Sequence, residues 1–257
     1  MNNVYTDTHA HLTYSEDAQL LSRLHALYAD SSAVIIDPGV DFDDFDERYE
    51  RLGSYPWVRF AAGIWPDEFP LHNQNEVINS LEATLKHPAC KLVGECGLDY
   101  YWMKAEPPVQ QKLFIAQLDL ACFYQKPIIV HSRDAWQDTI NCLKPFIGKI
   151  PIIFHCFSYG RDELKKLIHN GIYVSFSGNI TYKRMKQVLE EIPHIPEDLL
   201  LLETDTPYQN PEPNRGKPST PFDIVRTYEA VSSITQKPHA FWQDRVTKTL
   251  KAILHEV

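Results

Sequence analysis

The stretch VYTDTHAHL, Val4 to Leu12, ends an apolar run in an acid and two histidines one residue apart. In an extended segment side chains alternate between faces, so His9 and His11 project the same way and can grip one small object between their imidazoles. A metal ion is the natural candidate, although paired histidines at a loop entry also serve as ordinary polar residues. Residues of the same chemistry close other apolar runs downstream: Glu95 in KLVGECGLDYYW, His131 in IIVHSRDAW, His155 in IIFHCFS and Asp205 in LLLETDTPY. Imidazole and carboxylate together suit Zn²⁺, Mn²⁺ or, with fewer nitrogens engaged, Mg²⁺. Six ligands exceed the needs of one tetrahedral ion. The expected centre is therefore binuclear: Glu95 bridges, His9, His11 and Asp205 serve one ion, and His131 and His155 serve the other. Two ions ~4 Å apart acidify a shared water and stabilise both attacking and leaving oxygens, which is hydrolytic chemistry. Asp205, close to that water, is the expected general base.

Those residues meet only if the strands that carry them end at one mouth. Strand-like runs do alternate with amphipathic stretches. VYTDTHA is followed by SEDAQLLSRLHALYA, whose Leu20, Leu21, Leu24 and Leu27 recur at helical spacing behind Ser15 as a candidate cap. The pattern continues as AVIIDPG with FDDFDERYERLG, stopped by Gly53, VRFAAGI with NEVINSLEATLKH, and KLVGE with PPVQQKLFIAQLDLACFYQ. Then come PIIVH with DAWQDTINCLKPF, PIIFH with RDELKKLIHNG, IYVSF with a helix around Lys183 to Glu190, and DLLLLET with a helix from about Phe222. A further helix, His239 to Leu254, closes the chain.

Runs nearly continuous in Val, Ile and Leu fit parallel strands covered on both faces. Eight strand–helix units in 257 residues predict an α/β fold, a (β/α)8 TIM barrel with an extra C-terminal helix. A doubly wound open sheet has the same alternation. No composition shift or Gly/Ser-rich linker divides the chain, so residues 1–257 are expected to form a single domain. In a barrel the chemistry lies where strands end and βα loops begin, which is where the six candidate ligands fall.

Bulk properties exclude some classes. With 44% hydrophobic and 23% charged residues the chain can build a large core. A net charge of −9 opposes a broad basic surface, so a polyanionic substrate must be held locally. No apolar stretch approaches ~20 residues, and Met1-Asn2-Asn3-Val4 is not a basic leader, so neither a membrane span nor export is expected. Cys90, Cys96, Cys122, Cys142 and Cys156 are odd in number with no CxxC pair, which points to a reducing, cytoplasmic home. Cys96 and Cys156, beside candidate ligands, either bind a soft metal or fill space as small buried side chains.

DTHAHL, GECGLDYY, VHSRDA, HCFSYG, SFSGNITYK and LLLETDTPY, in this order and at these separations, resemble the TatD family of metal-dependent deoxyribonucleases in the amidohydrolase superfamily. The resemblance runs from about Thr6 to Tyr208. It implies a TIM barrel, a divalent metal site and hydrolysis of DNA phosphodiesters, often from a 3′ end. It also implies metal ligation by His9, His11, Glu95, His131, His155 and Asp205, the six found at run ends. The family usually has Gly-X-His-Pro after its third strand, where this chain has Gly63-Ile64-Trp65-Pro66. Trp65 neither accepts a proton nor ligates a metal; it either stacks on a base and donates one N–H or packs a wide loop. The family's Arg-Asn-Glu-Pro segment and its Asn-containing last helix are replaced by Arg215-Gly216-Lys217-Pro218 and Thr247-Lys248-Thr249-Leu250.

Arg133 either grips a phosphate through its fork of donors or pairs with Asp134, Glu95 or Asp99. Asp99 and Glu203 either orient histidine ligands or act as a local cap and an ion-pair partner. Lys183, Arg184 and Lys186 meet a phosphate backbone or form a solvated face. The expected function is a divalent-metal-dependent deoxyribonuclease that takes DNA or an oligonucleotide, with no obligate protein partner. The alternatives are an amidohydrolase of a small amide or ester, and a metal-binding scaffold without catalysis, against which the presence of Asp205 speaks.

Overall fold

The computed structural model describes residues 4–15 and 17–256. Met1, Asn2 and Asn3, part of the expectation that no leader is present, lie outside the described residues. The apolar runs form seven parallel strands: β1 (Ile35–Asp37), β2 (Val58–Ala62), β3 (Cys90–Asp99), β4 (Ile128–Arg133), β5 (Ile152–Phe154), β6 (Tyr173–Phe176) and β7 (Leu200–Leu202). They pair strictly in chain order, β1 to β7. A doubly wound sheet reverses its strand order at a switch point; this one does not reverse.

The expected first strand closes the sheet without a regular ladder. Parallel bridges join Asp7 to Ile35 and Ala10 to Thr206, so the segment from Thr6 to Ala10 fills the gap between β1 and the chain leaving β7. On one side Asp7 N–H donates to the Val34 carbonyl at 3.0 Å and Ile36 N–H to the Asp7 carbonyl at 2.9 Å. On the other, Thr8 N–H reaches the Leu202 carbonyl at 3.1 Å and Asp205 N–H the His9 carbonyl at 2.9 Å. Side chains take the carbonyls that the ladder leaves over: Tyr28 Oη donates to Tyr5, Tyr228 Oη to Thr6 and Gln243 Nε2 to Val4, at 2.6, 2.8 and 2.9 Å. Every buried carbonyl needs such a partner, and these three come from three different helices.

Those helices are α1 (Leu20–Tyr28), the first of the outer layer, and the last two. Between them run α2 (Phe45–Leu52), α3 (Glu68–His72), α4 (Gln74–Leu85), α5 (Pro107–Phe123), α6 (Trp136–Leu143), α7 (Arg161–His169) and the single turn α8 (Lys186–Leu189). α9 (Ile224–Thr235) and the extra C-terminal helix α10 (His239–Ile253) complete the ring, α10 burying Trp242, Val246, Leu250 and Ile253. Two expectations are corrected. Ser15 does not cap α1: its Oγ accepts the Asp17 N–H while Asp17 accepts the Gln19 N–H, so a polar turn precedes a helix that starts at Leu20. The helix expected over 183–190 is a 3-10 turn, Lys183–Met185, followed by α8. Met185 is the buried residue of the 3-10 turn and Val188 that of α8. Among the described residues no helix is long and apolar enough to cross a membrane.

Beside the site, β3 and β4 leave no room for a side chain at one glycine. Gly97 pairs with His131 across β3 and β4, at φ +153°, and a Cβ there would sit 1.9 Å from the His131 carbonyl oxygen. Gly97→Ala is expected to cost roughly 2 kcal/mol or more, through strain plus backbone clash. Urea denaturation checks this, and an unchanged midpoint would contradict the register described.

Candidate metal centre

All six candidate ligands reach the C-terminal mouth of the barrel. His9 and His11 come from the closing segment, His131 from β4, His155 from the residue after β5, and Asp205 from the third residue past β7. Glu95 lies inside β3, not at its end, because that strand runs on to Asp99. The pairing register with β4 shifts between Val93 and Cys96, and Gly39 clasps the irregular stretch, its carbonyl taking the Glu95 N–H at 2.6 Å and its N–H reaching Gly94 at 3.0 Å.

Glu95 is the hub. Its Oε2 lies 2.7 Å from His9 Nε2 and 3.5 Å from His11 Nε2; its Oε1 lies 3.5 Å from His131 Nδ1 and 3.8 Å from His155 Nε2. Asp205 Oδ1 stands 3.9 Å from both His9 and His11 Nε2. Ligand atoms of His9, His11 and Asp205 fall within 4.8 Å of one another, and so do those of Glu95, His131 and His155. His9, His155 and Glu203 form a third such group.

Both ring nitrogens of His9, Glu95 Oε2, His155 Nδ1 and Glu203 Oε2 are buried without a hydrogen bond of acceptable geometry. Each such group left unpaired costs about 1–3 kcal/mol. Among the described residues no Lys or Arg pairs with Glu95, Glu203 or Asp205, whose ionic neighbours are all histidines. Converging lone pairs and carboxylate charge, with imidazole and oxygen donors, fit a divalent cation.

The protonation pattern follows from the same crowding. Burial alone would raise Glu95, but the charges of His155 and His9 and the close approach of the His11 and His9 imidazoles hold it well below the usual carboxylate range. Burial, helped by the charge on His155, pushes His9 down to about 4. Burial would also lower His155, yet attraction to Glu95 and Glu203 outweighs it and lifts that imidazole to about 9. Burial lifts Asp205 to about 7, with Glu203 and Glu95 opposing its ionisation further while His155 favours it.

Neighbouring carboxylates aim two of the imidazoles. Asp99 Oδ2 sits 2.9 Å from His131 Nε2, which leaves Nδ1 facing Glu95. Glu203 Oε1 sits 3.4 Å from His155 Nδ1 while accepting the Cys156 N–H at 2.7 Å, which leaves Nε2 facing the centre. Such partners fix ring orientation. Asp7, although two residues from His9, is a clamp: it takes the Thr204 N–H and hydroxyl at 2.9 and 2.7 Å and so pins the segment that delivers Asp205. Burial pushes the thiols of Cys96 and Cys156 up, and neither joins a group able to hold a metal among the described residues.

Over the centre opens a cleft of about 1230 Å³. Trp65 lines it, edge-on to the His131 ring at 5.8 Å. Arg133 forms none of the carboxylate pairs considered from sequence; its guanidinium lies 3.7 Å over the Tyr101 ring instead. Arg184 lines the cleft, whereas Lys183 and Lys186 do not. Sequence reasoning missed the aromatic wall of Tyr14, Tyr101, Trp102 and Tyr208. The signal lay in the loops just past the ligands, in HLTY, GLDYYW and TDTPY.

The chain matches the family described as TatD related DNase over residues 6–255. It is 30% identical over 232 residues to the uncharacterized metal-dependent hydrolase YabD of Bacillus subtilis, covering 90% of this chain and 91% of that one. It is 38% identical over 185 residues to the 3'-5' ssDNA/RNA exonuclease TatD of Edwardsiella piscicida, covering 71% of each. Its fold matches the crystal structure of YJJV, a TatD homolog from Escherichia coli K12, with a TM-score of 0.87, 23% identity and 98% of each chain covered.

Behind the centre one buried guanidinium organises the rim. Arg48 Nε and Nη2 donate to Asp44 Oδ1, Nη1 to Asp37 Oδ2 and its carbonyl, and Nη2 also to the Ala61 carbonyl, all within 3.2 Å. Asp37 Oδ1 in turn takes the Leu12 N–H at 3.0 Å, fixing the residue after His11, and Asp44 Oδ2 takes the Val40 and Asp41 N–H groups of the cleft wall. Removing one partner of a buried ion pair strands the other. Arg48→Met is therefore expected to lose about 3 kcal/mol or more of stability in urea titration, and Arg48→Lys, which keeps the charge without the fork, rather less. Wild-type stability in Arg48→Met would contradict the network's role.

Proposed function

Because the chain belongs to the TatD related DNase family, we propose that it hydrolyses DNA phosphodiester bonds with divalent ions held at this barrel mouth. The observation that carries the reading is the buried Glu95 carboxylate facing four imidazoles from three separate segments. In this reading His9, His11 and Asp205 would hold one ion and His131 and His155 a second, with Glu95 available to either, and the donor set would suit Zn²⁺, Mn²⁺ or Mg²⁺. Ions so held supply an acidified water and neutralise phosphoryl charge.

The chain's own residues do the rest. Asp205 takes the proton of the attacking water on its free carboxylate oxygen and returns it to the leaving oxygen. Asp99 and Glu203 keep His131 and His155 turned toward Glu95. Arg133, already ordered on Tyr101, offers its fork to a phosphate oxygen pair. Trp65 stands where a base or sugar would meet the His131 edge. The cleft of about 1230 Å³ exceeds the roughly 300–1,000 Å³ of ordinary small-molecule pockets, which favours an oligonucleotide end over a small amide or ester. We take residues 1–257 as one working domain acting in the reducing cytoplasm, a reading supported by five free cysteines.

Metal-reconstituted protein incubated with end-labelled single- and double-stranded DNA, RNA, and a panel of amides and esters tests this reading. DNA shortening is expected, and Asp205→Asn should slow it about 10²-fold or more. Cleavage confined to amides or esters would overturn the nuclease reading. His131→Ala and His155→Ala should each lower metal content in elemental analysis. Unchanged content in both would overturn the ligand assignment.

A further inference from the structure

Among the described residues nine large apolar side chains are exposed, and five of them, Tyr14, Phe69, Tyr101, Trp102 and Tyr208, line the cleft over Glu95. Apolar surface gathered in one concavity marks a binding site. Four of these rings fall into two groups, one beside His11, which faces Glu95 Oε2, and one beside His131, which faces Glu95 Oε1. Tyr14 stacks in parallel on His11, centroids 5.0 Å apart at 9°, yet keeps 46% of its surface exposed. Tyr208 meets the same imidazole edge-on at 6.1 Å and is 54% exposed. On the His131 side, Tyr101 and Trp102 meet at 5.1 Å and 88°, are 55% and 58% exposed, and carry the Arg133 guanidinium 3.7 Å above Tyr101.

Both groups are tied to candidate ligands by short hydrogen bonds. Tyr14 N–H donates to the His11 carbonyl at 3.2 Å and Tyr208 N–H to the Asp205 carbonyl at 2.8 Å. Trp102 N–H donates to Asp99 Oδ1 at 2.8 Å, and the other oxygen of that carboxylate holds His131. The backbone that carries Tyr14, Trp102 and Tyr208 is therefore tied to the candidate ligands and their partner Asp99.

We propose that these are two stacking shelves, and that they hold the two nucleobases on either side of the scissile phosphodiester, spread apart from each other. The proposal rests on the nucleic-acid reading above and deepens it: the recognised unit is an unpaired dinucleotide step. A phosphodiester between two nucleosides has charge in the middle and a planar apolar ring on each side. The cations that the residues around the hub would hold, together with Arg133, match the middle, and the shelves match the sides. Every base has a π-face, so such shelves are tolerant of sequence, but they accept only bases free of a complementary strand.

The test measures binding, not turnover. Short thymidine oligomers carry one methylenephosphonate link that cannot be hydrolysed, with a base-free tetrahydrofuran spacer at successive positions; calorimetry on ion-loaded protein gives each Kd. A spacer at either nucleoside flanking the link should weaken binding about tenfold, and a spacer farther away less than about twofold. Tyr14→Ala and Tyr208→Ala should erase the penalty on one side of the link, and Tyr101→Ala and Trp102→Ala the penalty on the other. These rings are half exposed, and an unchanged melting curve for each variant confirms that its fold is retained. A flat spacer profile, or variants that weaken all oligomers alike, would overturn the two shelves even where the wild type degrades DNA. A wild type that neither binds nor cleaves any oligonucleotide would instead bring down the nucleic-acid reading, and the shelves with it.

Discussion

A carboxylate buried among imidazoles, with no lysine or arginine among the described residues paired to it, is the constraint around which the rest of this molecule is arranged. Glu95 is 5% exposed and stands within 3.8 Å of nitrogens from His9, His11, His131 and His155. Such a group is stable only when its lone pairs meet positive charge. Within the chain that charge comes from imidazole, chiefly His155. A divalent cation answers the same demand more fully, because it satisfies several orphaned donors at once and is not lost on deprotonation.

Holding that arrangement sets requirements far from it. The hub sits in an irregular stretch of β3 that a glycine loop clasps, and Gly97 lets β3 run against the β4 backbone beside His131. The segment with His9 and His11 lacks a regular ladder, and the carbonyls of Val4, Tyr5 and Thr6 that lead into it are held by side chains from α10, α1 and α9. This gives the extra C-terminal helix a reason to exist: it anchors the segment that closes the barrel. Asp7 and Arg48 fix the two flanks of the same segment, one through Thr204 and the other through Asp37. Chemistry, closure and stability thus share one short piece of chain.

Much of this was legible in the sequence, and the reason is local. The seven ladder strands appear as apolar runs because parallel strands are buried on both faces, and ligands at run ends are visible because polar residues interrupt those runs. Features set by long-range partners were not legible. Ser15 looked like a helix cap because its neighbours have the right types, yet Asp17 captures the turn first. Nothing local separates Asp7, which clamps Thr204, from His9 two residues on. Arg133 was set beside acids in the sequence, whereas in space the Tyr101 face receives it. The aromatic shelves escaped notice because exposed tyrosines in loops carry no periodicity.

Anomalous diffraction from crystals grown with Mn²⁺ tests the central claim most directly. The account predicts two peaks about 2.0–2.2 Å from Glu95 oxygens, one shared with His9, His11 and Asp205 and the other with His131 and His155. Peaks elsewhere, with the Glu95 oxygens bare, would contradict it.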